Sequence, residues 1–160
     1  MSQFRFIETK RNFEKLKRDE PLIMGQMAAN FFFSSFQKQG WDGEKWMPRE
    51  ADMPRLIAEG KSRFFQKVNG KTVGRQILVK TGTLRKAVEN SLELATFDKI
   101  QFSVKAVTPK GFNYGYPLNY GNDKLPPRKF IGYSEKLMKI LREKLARDMQ
   151  KLHVSGFSIE

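Results

Sequence analysis

From residue 91 to residue 106 apolar side chains fall at alternate positions, Leu92 and Leu94 on one limb and Ile100, Phe102, Val104 and Ala106 on the other. Successive side chains of a strand point to opposite faces, so this period belongs to an extended backbone with one buried face and one wet face. Asp98-Lys99 supplies the turn, and the stretch 91–107 reads as an antiparallel hairpin. Two strands alone cannot shield an apolar face from water. The cover has to come from the rest of the chain, which carries a different period.

From Leu22 to Lys38 the residues Met24, Met27, Ala28, Phe31, Phe32 and Phe36 recur at three- and four-residue spacings, a helical stripe that Gly40 closes. Pro21 suits the first turn of that helix, where its missing N–H is no loss. Before it, Phe4, Phe6, Ile7, Phe13 and Leu16 stand among dense mixed charge and read as a short strand or ragged segment followed by a helical turn. A second helix follows Ser134, whose hydroxyl is a cap, with Leu137, Ile140, Leu141, Leu145, Met149 and Leu152 as its stripe. The expected fold is α+β: a small antiparallel sheet, made of the hairpin 91–107 plus one or two short strands, packed by two long helices at about 21–39 and 134–152. An extended mobile loop is expected at about 60–76. At 160 residues one core suffices, so the expectation is a single domain over 1–160 with a disordered tail at 153–160.

Several chemistries are poorly served. With no cysteine and one histidine, His153, the chain has no thiolate or histidine cluster, and neither a metal nor another cofactor is expected. No run of 18 apolar residues exists to span a bilayer, so no membrane partner is expected. Gly70-Lys71-Thr72 imitates the end of a phosphate-binding loop, but Phe65 stands where that loop begins with glycine, which argues against nucleotide hydrolysis. A metal-dependent nuclease needs convergent carboxylates, whereas the acidic residues here are scattered along charged stretches, Asp19-Glu20 being the one adjacent pair.

The net charge of +13 gives the chain a field that attracts polyanions. Its sharpest asymmetry lies between residues 61 and 88, where Lys61, Arg63, Lys67, Lys71, Arg75, Lys80, Arg85 and Lys86 meet no acid. These eight are the candidate DNA-facing residues, and the glycines from Val68 to Arg75 make this stretch a loop. Trp41 and Trp46 flank an Asp-Gly turn, where capping the core edge is a commoner role than stacking on bases. Three tyrosines in Tyr114–Tyr120 read as packing over a sheet edge with hydroxyls outward. Asn122 to Arg128 reads as an exposed arm that Pro126-Pro127 stiffens.

Taken in order, Pro21-Leu22-Ile23-Met24-Gly25, Phe36 with Gln39-Gly40, Asp42-Gly43-Glu44-Lys45-Trp46, Leu78 to Arg85 with Thr81-Gly82-Thr83-Leu84-Arg85, Tyr114 to Gly121, and Pro127 to Ser134 form an ordered series of short segments. It resembles the phage virion morphogenesis family, the Mu-type G-like group akin to tail-completion proteins of tailed phages, over residues 13–150. The chain departs from that pattern at Leu118-Asn119 and at Lys129. The resemblance implies a structural protein of the head–tail junction or tail end, without catalysis, assembled in the bacterial cytoplasm into the virion. Its partners would be copies of itself in a ring of six or so, neighbouring head–tail or tail-tube proteins, and packaged DNA contacted without sequence preference. On that reading Pro126, Pro127, Arg128, Phe130 and Tyr133 reach the neighbour, and the eight cations face a DNA-bearing lumen. The main alternative is a free-standing basic nucleic-acid-binding domain, although no helix here carries clustered Asn, Gln and Arg for a groove.

Overall fold

The first helix begins far earlier than its apolar stripe. In the computed structural model, which describes residues 2–47, 65–68, 71–74, 77–79, 81–123 and 125–156, α1 runs over Ser2–Lys38, 37 residues, with Pro21 inside it. The ragged segment expected before Pro21 is thus helical. Proline in a helix interior leaves one carbonyl, here that of Lys17, without its usual donor, at a cost of about 3 kcal/mol. Tertiary burial offsets that cost: Glu20, Pro21, Gly25, Ala28, Ala29, Phe32, Ser35 and Phe36 are buried along one face of α1. The mixed charge ahead of Pro21 hid this continuation, because residues 7–15 of the helix are almost wholly exposed.

The chain is α+β. After α1 come β1 (Gly40–Trp41), β2 (Glu44–Lys45), β3 (Phe65–Val68), β4 (Lys71–Gly74), α2 (Thr83–Glu89), β5 (Leu92–Ala95), β6 (Ile100–Phe102), α3 (Gly115–Tyr120) and α4 (Glu135–Gly156). The described strands form three antiparallel pairs, β1–β2, β3–β4 and β5–β6, rather than one sheet. The expected hairpin is β5–β6, with Leu92 opposite Phe102, Ala95 opposite Ile100, and a register shift between Leu92 and Leu94. Its second limb stops at Phe102, short of the expected 107. Thr96 closes the turn, its backbone N–H donating to the Lys99 carbonyl at 2.8 Å.

The expected loop at 60–76 holds a second hairpin, with Phe65 opposite Gly74 and Val68 opposite Lys71. The signal was present in the sequence: Asn69-Gly70 between two short runs is a strong two-residue hairpin connection. The same glycines that suggest a loop there serve the connection of a hairpin. The tail expected from 153 also proves partly helical, since α4 continues to Gly156.

Two compact units emerge, one of Met1–Phe31, Leu92–Ser103 and Tyr133–Glu160, the other of Phe32–Ser91 and Val104–Gly132. In the first unit Gly25 gives close approach: a Cβ there would lie 2.8 Å from Leu92 Cδ1 and 3.4 Å from Ile100 Cγ2. Leu137 and Leu141 of α4 are buried, and Ser134 caps that helix as expected, its Oγ accepting the Leu137 N–H at 3.1 Å.

A charged cluster ties α4 to α1 within this unit. Lys144 Nζ donates to Glu20 Oε1 at 2.9 Å and to Asp148 Oδ2, while Lys151 Nζ reaches Asp148 Oδ1 at 3.2 Å. The hydrogen bond from Lys144 holds the Asp148 carboxyl below its ordinary range, and bonds to Asp148 and then Glu20 hold the Lys144 ammonium above its own. A carboxyl with a depressed folded pKa adds stability above its unfolded value and loses it as pH falls through the folded one. A raised ammonium adds stability below its unfolded value and loses it as pH rises through the folded one. The cluster's contribution should therefore be level from about pH 4 to about pH 10 and decline outside that window. Urea midpoints across pH check this, and Lys144→Met should shallow the acid limb.

Candidate functional site

In the second unit, segments distant in sequence are pinned to one another. Phe36 near the end of α1 meets the Trp46 ring edge-on, centroids 5.6 Å apart, and the Phe130 ring at 5.6 Å. Phe36 and Phe130 are 1% and 0% exposed, so this trio is the centre of the unit's core. Trp46 Nε1 donates to the Lys129 carbonyl at 2.8 Å, which satisfies the one polar atom of a buried indole. Trp41 stacks on Phe32 at 5.9 Å with Lys129 Nζ 5.2 Å from its ring centre. Both tryptophans therefore serve packing, and neither is a platform for bases.

Backbone geometry enforces these contacts. Asp42 and Gly43 take φ of 54° and 102°, the left-handed pair that a tight β1–β2 connection needs. A Cβ at Gly40 would lie 2.1 Å from the Glu44 carbonyl oxygen, so only glycine lets the strands meet there. Gln39 then reaches across to Ile77: its Oε1 accepts the Ile77 N–H, and its Nε2 donates to the Ile77 carbonyl at 3.4 Å. Leu78 beside it has φ of 62°, a left-handed setting costly for a bulky residue, held by this clamp.

Asn119, 2% exposed, does the same for the last segment. Its Oδ1 accepts the N–H groups of Phe130 at 2.8 Å and Ile131 at 3.1 Å, and its Nδ2 donates to the Ile131 carbonyl at 3.1 Å. Asn119 sits on α3, where the sequence suggested tyrosines over a sheet edge. Asn113 Oδ1 accepts the Gly115 N–H at 3.0 Å at the start of this short helix.

Of the expected arm, Asn122, Asp123, Leu125 and Pro127 are exposed, but its last residue is turned inward. Arg128 is 5% exposed, with its Nε donating to the Met47 carbonyl at 3.2 Å and its backbone N–H to the Leu118 carbonyl at 3.0 Å. Phe130 is core. Of the five residues expected to reach a neighbour, Arg128 and Phe130 are thus corrected to fold-determining positions. An apolar ring gains more from Phe36 and Trp46 than from solvent. Pro127 and Tyr133 remain exposed, and Pro126 is half-buried.

Of the eight cations, Lys61, Arg63, Arg75 and Lys80 lie outside the described residues. Lys67 and Lys71 lie on β3 and β4, where Lys67 pairs with Thr72 and Lys71 with Val68. Arg85 lays its guanidinium 4.4 Å from the Phe33 ring centre, a packing role beside its charge, and Lys86 is exposed. The helix that carries both, α2, has Gly82 as its N-cap with no side-chain cap from that residue, and Thr81 Oγ1 accepts the Thr83 N–H at 3.4 Å. The second unit holds 17 Lys and Arg against 7 Asp and Glu, a net +10 of the chain's +13.

One surface feature escaped the sequence reading. Tyr116 and Tyr120, spaced i and i+4 on α3, tilt against each other with centroids 4.8 Å apart and are 69% and 60% exposed. Tyr120 also lines a groove of about 480 Å³ together with Asn122, Asp123, Leu125, Pro126 and Pro127. The four-residue spacing was the available signal. It went unused because the stretch read as non-helical.

Among the described residues no group of three or more His, Asp or Glu is arranged to hold a metal, and no helix is long and apolar enough to cross a membrane. No family model, no curated protein and no solved structure matches the chain. The resemblance to the virion morphogenesis family accordingly rests on the residues quoted for it.

Proposed function

We propose that the chain is a non-enzymatic structural protein of phage or prophage virion assembly, acting at the head–tail junction or tail end as a ring of identical subunits around a DNA-bearing channel. One observation supports it most. Phe36, Gln39-Gly40, Trp46, Asn119 and Phe130, drawn from segments that carry the resemblance, bond to or pack against one another or against neighbouring segments within a single unit. Segments that together resemble one family are expected to share a core if they serve one fold. That same unit holds most of the positive charge, which suits contact with phosphate without sequence readout.

Light scattering across protein concentration tests the ring: a closed multimer of six or so is expected, and a monomer at every concentration would overturn it. The concentrated charge favours one other reading, a free-standing nucleic-acid-binding domain. A monomer that binds duplex DNA tightly near physiological salt is the outcome that selects it. Within the ring reading, reversing Lys67, Lys71 and Arg75 to Glu should abolish most DNA retention while leaving the multimer's size unchanged. Retention equal to that of the parent protein would remove the lumen role from these cations.

A further inference from the structure

The first unit carries a small exposed knob. Phe13 and Lys17 stand four residues apart on α1, and the Lys17 ammonium lies 5.8 Å from the Phe13 ring centre and 5.5 Å from that of Phe97. Phe97 is presented by the turn of the β5–β6 hairpin, which Thr96 and Lys99 close with backbone bonds of 2.8 and 3.2 Å. The two rings are 38% and 59% exposed. Apolar groups gathered in water, rather than scattered singly, are the pattern of a contact surface.

The second unit carries the groove beside α3. Gly121 has φ of 77°, and a Cβ there would lie 2.9 Å from both the Leu125 carbonyl oxygen and Pro127 N. Asn122 and Leu125 exchange backbone bonds of 2.9 and 3.1 Å. These walls are ordered before anything binds, so little entropy is lost in filling them. The described lining is aromatic and aliphatic with the Asp123 carboxylate, while Lys124 lies outside the described residues. Asp123 repels phosphate and acidic side chains alike, so the lining suits an apolar group that brings a positive charge with it.

The knob is such a group, two rings around an ammonium. Lys17 also lies 4.0 Å from Glu14 Oε2, an exposed pairing weak enough to be exchanged. Copies of net +13 repel one another at long range, an effect that salt screens. Close contact is least opposed where the first unit, 13 Lys and Arg against 10 Asp and Glu, meets the second, at net +10.

We propose that the Phe13–Lys17–Phe97 knob of one copy enters the Tyr120–Pro127 groove of the next, with the rings against Tyr120, Leu125 and the prolines and the ammonium beside Asp123. Knob and groove are unlike surfaces, so the contact is head-to-tail, the kind that closes into a ring when the rotation allows. It builds on the ring reading above, for which it supplies the two surfaces.

Phe97→Ser breaks the knob and Tyr120→Ser breaks the groove. Both positions are more than half exposed, so each variant should melt with the parent. By light scattering near physiological salt, each should need a concentration roughly tenfold or more above the parent's to assemble. Mixed in equal amounts, the two should form a one-to-one pair and nothing larger, because one intact knob and one intact groove remain. Lys17→Glu and Asp123→Lys should each weaken assembly, and the two together in one chain should restore part of it. A parent multimer whose size these substitutions leave unchanged, or a mixture that stays monomeric, would overturn the contact and leave the ring standing. A parent that is monomeric at every concentration would overturn both. A labelled oligothymidylate that binds the parent and loses binding in Tyr120→Ser would make the groove a nucleic-acid surface instead.

Discussion

Phe130→Ala is expected to lower the midpoint of thermal unfolding by roughly 6 to 20 °C. Removing a buried phenyl ring costs about 3 to 5 kcal/mol, transfer and cavity together, and each kcal/mol shifts the midpoint of a chain this size by about 2 to 4 °C. The upper part of that range is favoured by the ring's 0% exposure and by Phe36 against it, which is pinned in turn by Trp46. With three rings interlocked, the cavity has few ways to collapse. Trp46 fluorescence is the direct readout, because loss of Phe130 loosens the pocket around the indole. A midpoint within 2 °C of the parent protein would mean that Phe130 is not core. It would also revive an outward role for the segment from Pro126 to Tyr133.

Replacing Asn119 by Leu should destabilise by a similar amount for a different reason. The side chain keeps its four heavy atoms and its branching at Cγ, so no cavity forms. Three backbone groups, the N–H of Phe130 and the N–H and carbonyl of Ile131, lose their partners in a largely buried place. Each orphaned group costs about 1 to 3 kcal/mol, and an expected total of about 3 to 5 kcal/mol allows for partial rescue by water at half-buried Ile131. Asn119→Asp separates this mechanism from simple misfit. At a pH low enough to protonate it, the carboxyl still accepts both N–H groups and its O–H can donate to the Ile131 carbonyl, so the stability lost there should be clearly the smaller. Denaturant midpoints of the three proteins at that pH check the order parent, Asn119→Asp, Asn119→Leu. Equal losses for the two variants would show that the bonds to Phe130 and Ile131 contribute nothing.

These two substitutions also bear on how the last segment was read. Pro126-Pro127-Arg128 carries the marks of an exposed arm, since proline stiffens and arginine is rarely buried. Arg128 is buried all the same, because a carbonyl from Met47, 81 positions away in sequence, accepts its Nε. Nothing within the local sequence signals that partner. The same holds for Asn119 and Gln39, whose amides satisfy backbone far along the chain and look in sequence like ordinary surface residues. Such side chains are decided by where backbone groups end up unpaired, which is a property of the assembled unit.

What the sequence determined by itself is local and periodic. It showed the α+β class, the β5–β6 hairpin, the cap at Ser134, the Asp42-Gly43 turn and the concentration of charge, because each depends on spacings of a few residues. Tertiary structure alone decided that α1 runs unbroken through Pro21, that Arg128 and Phe130 face inward, and that Tyr116 and Tyr120 face outward. In each case a local preference worth one to a few kcal/mol is overruled by burial or by a distant hydrogen-bond partner of comparable size. Only the folded chain brings those partners within reach.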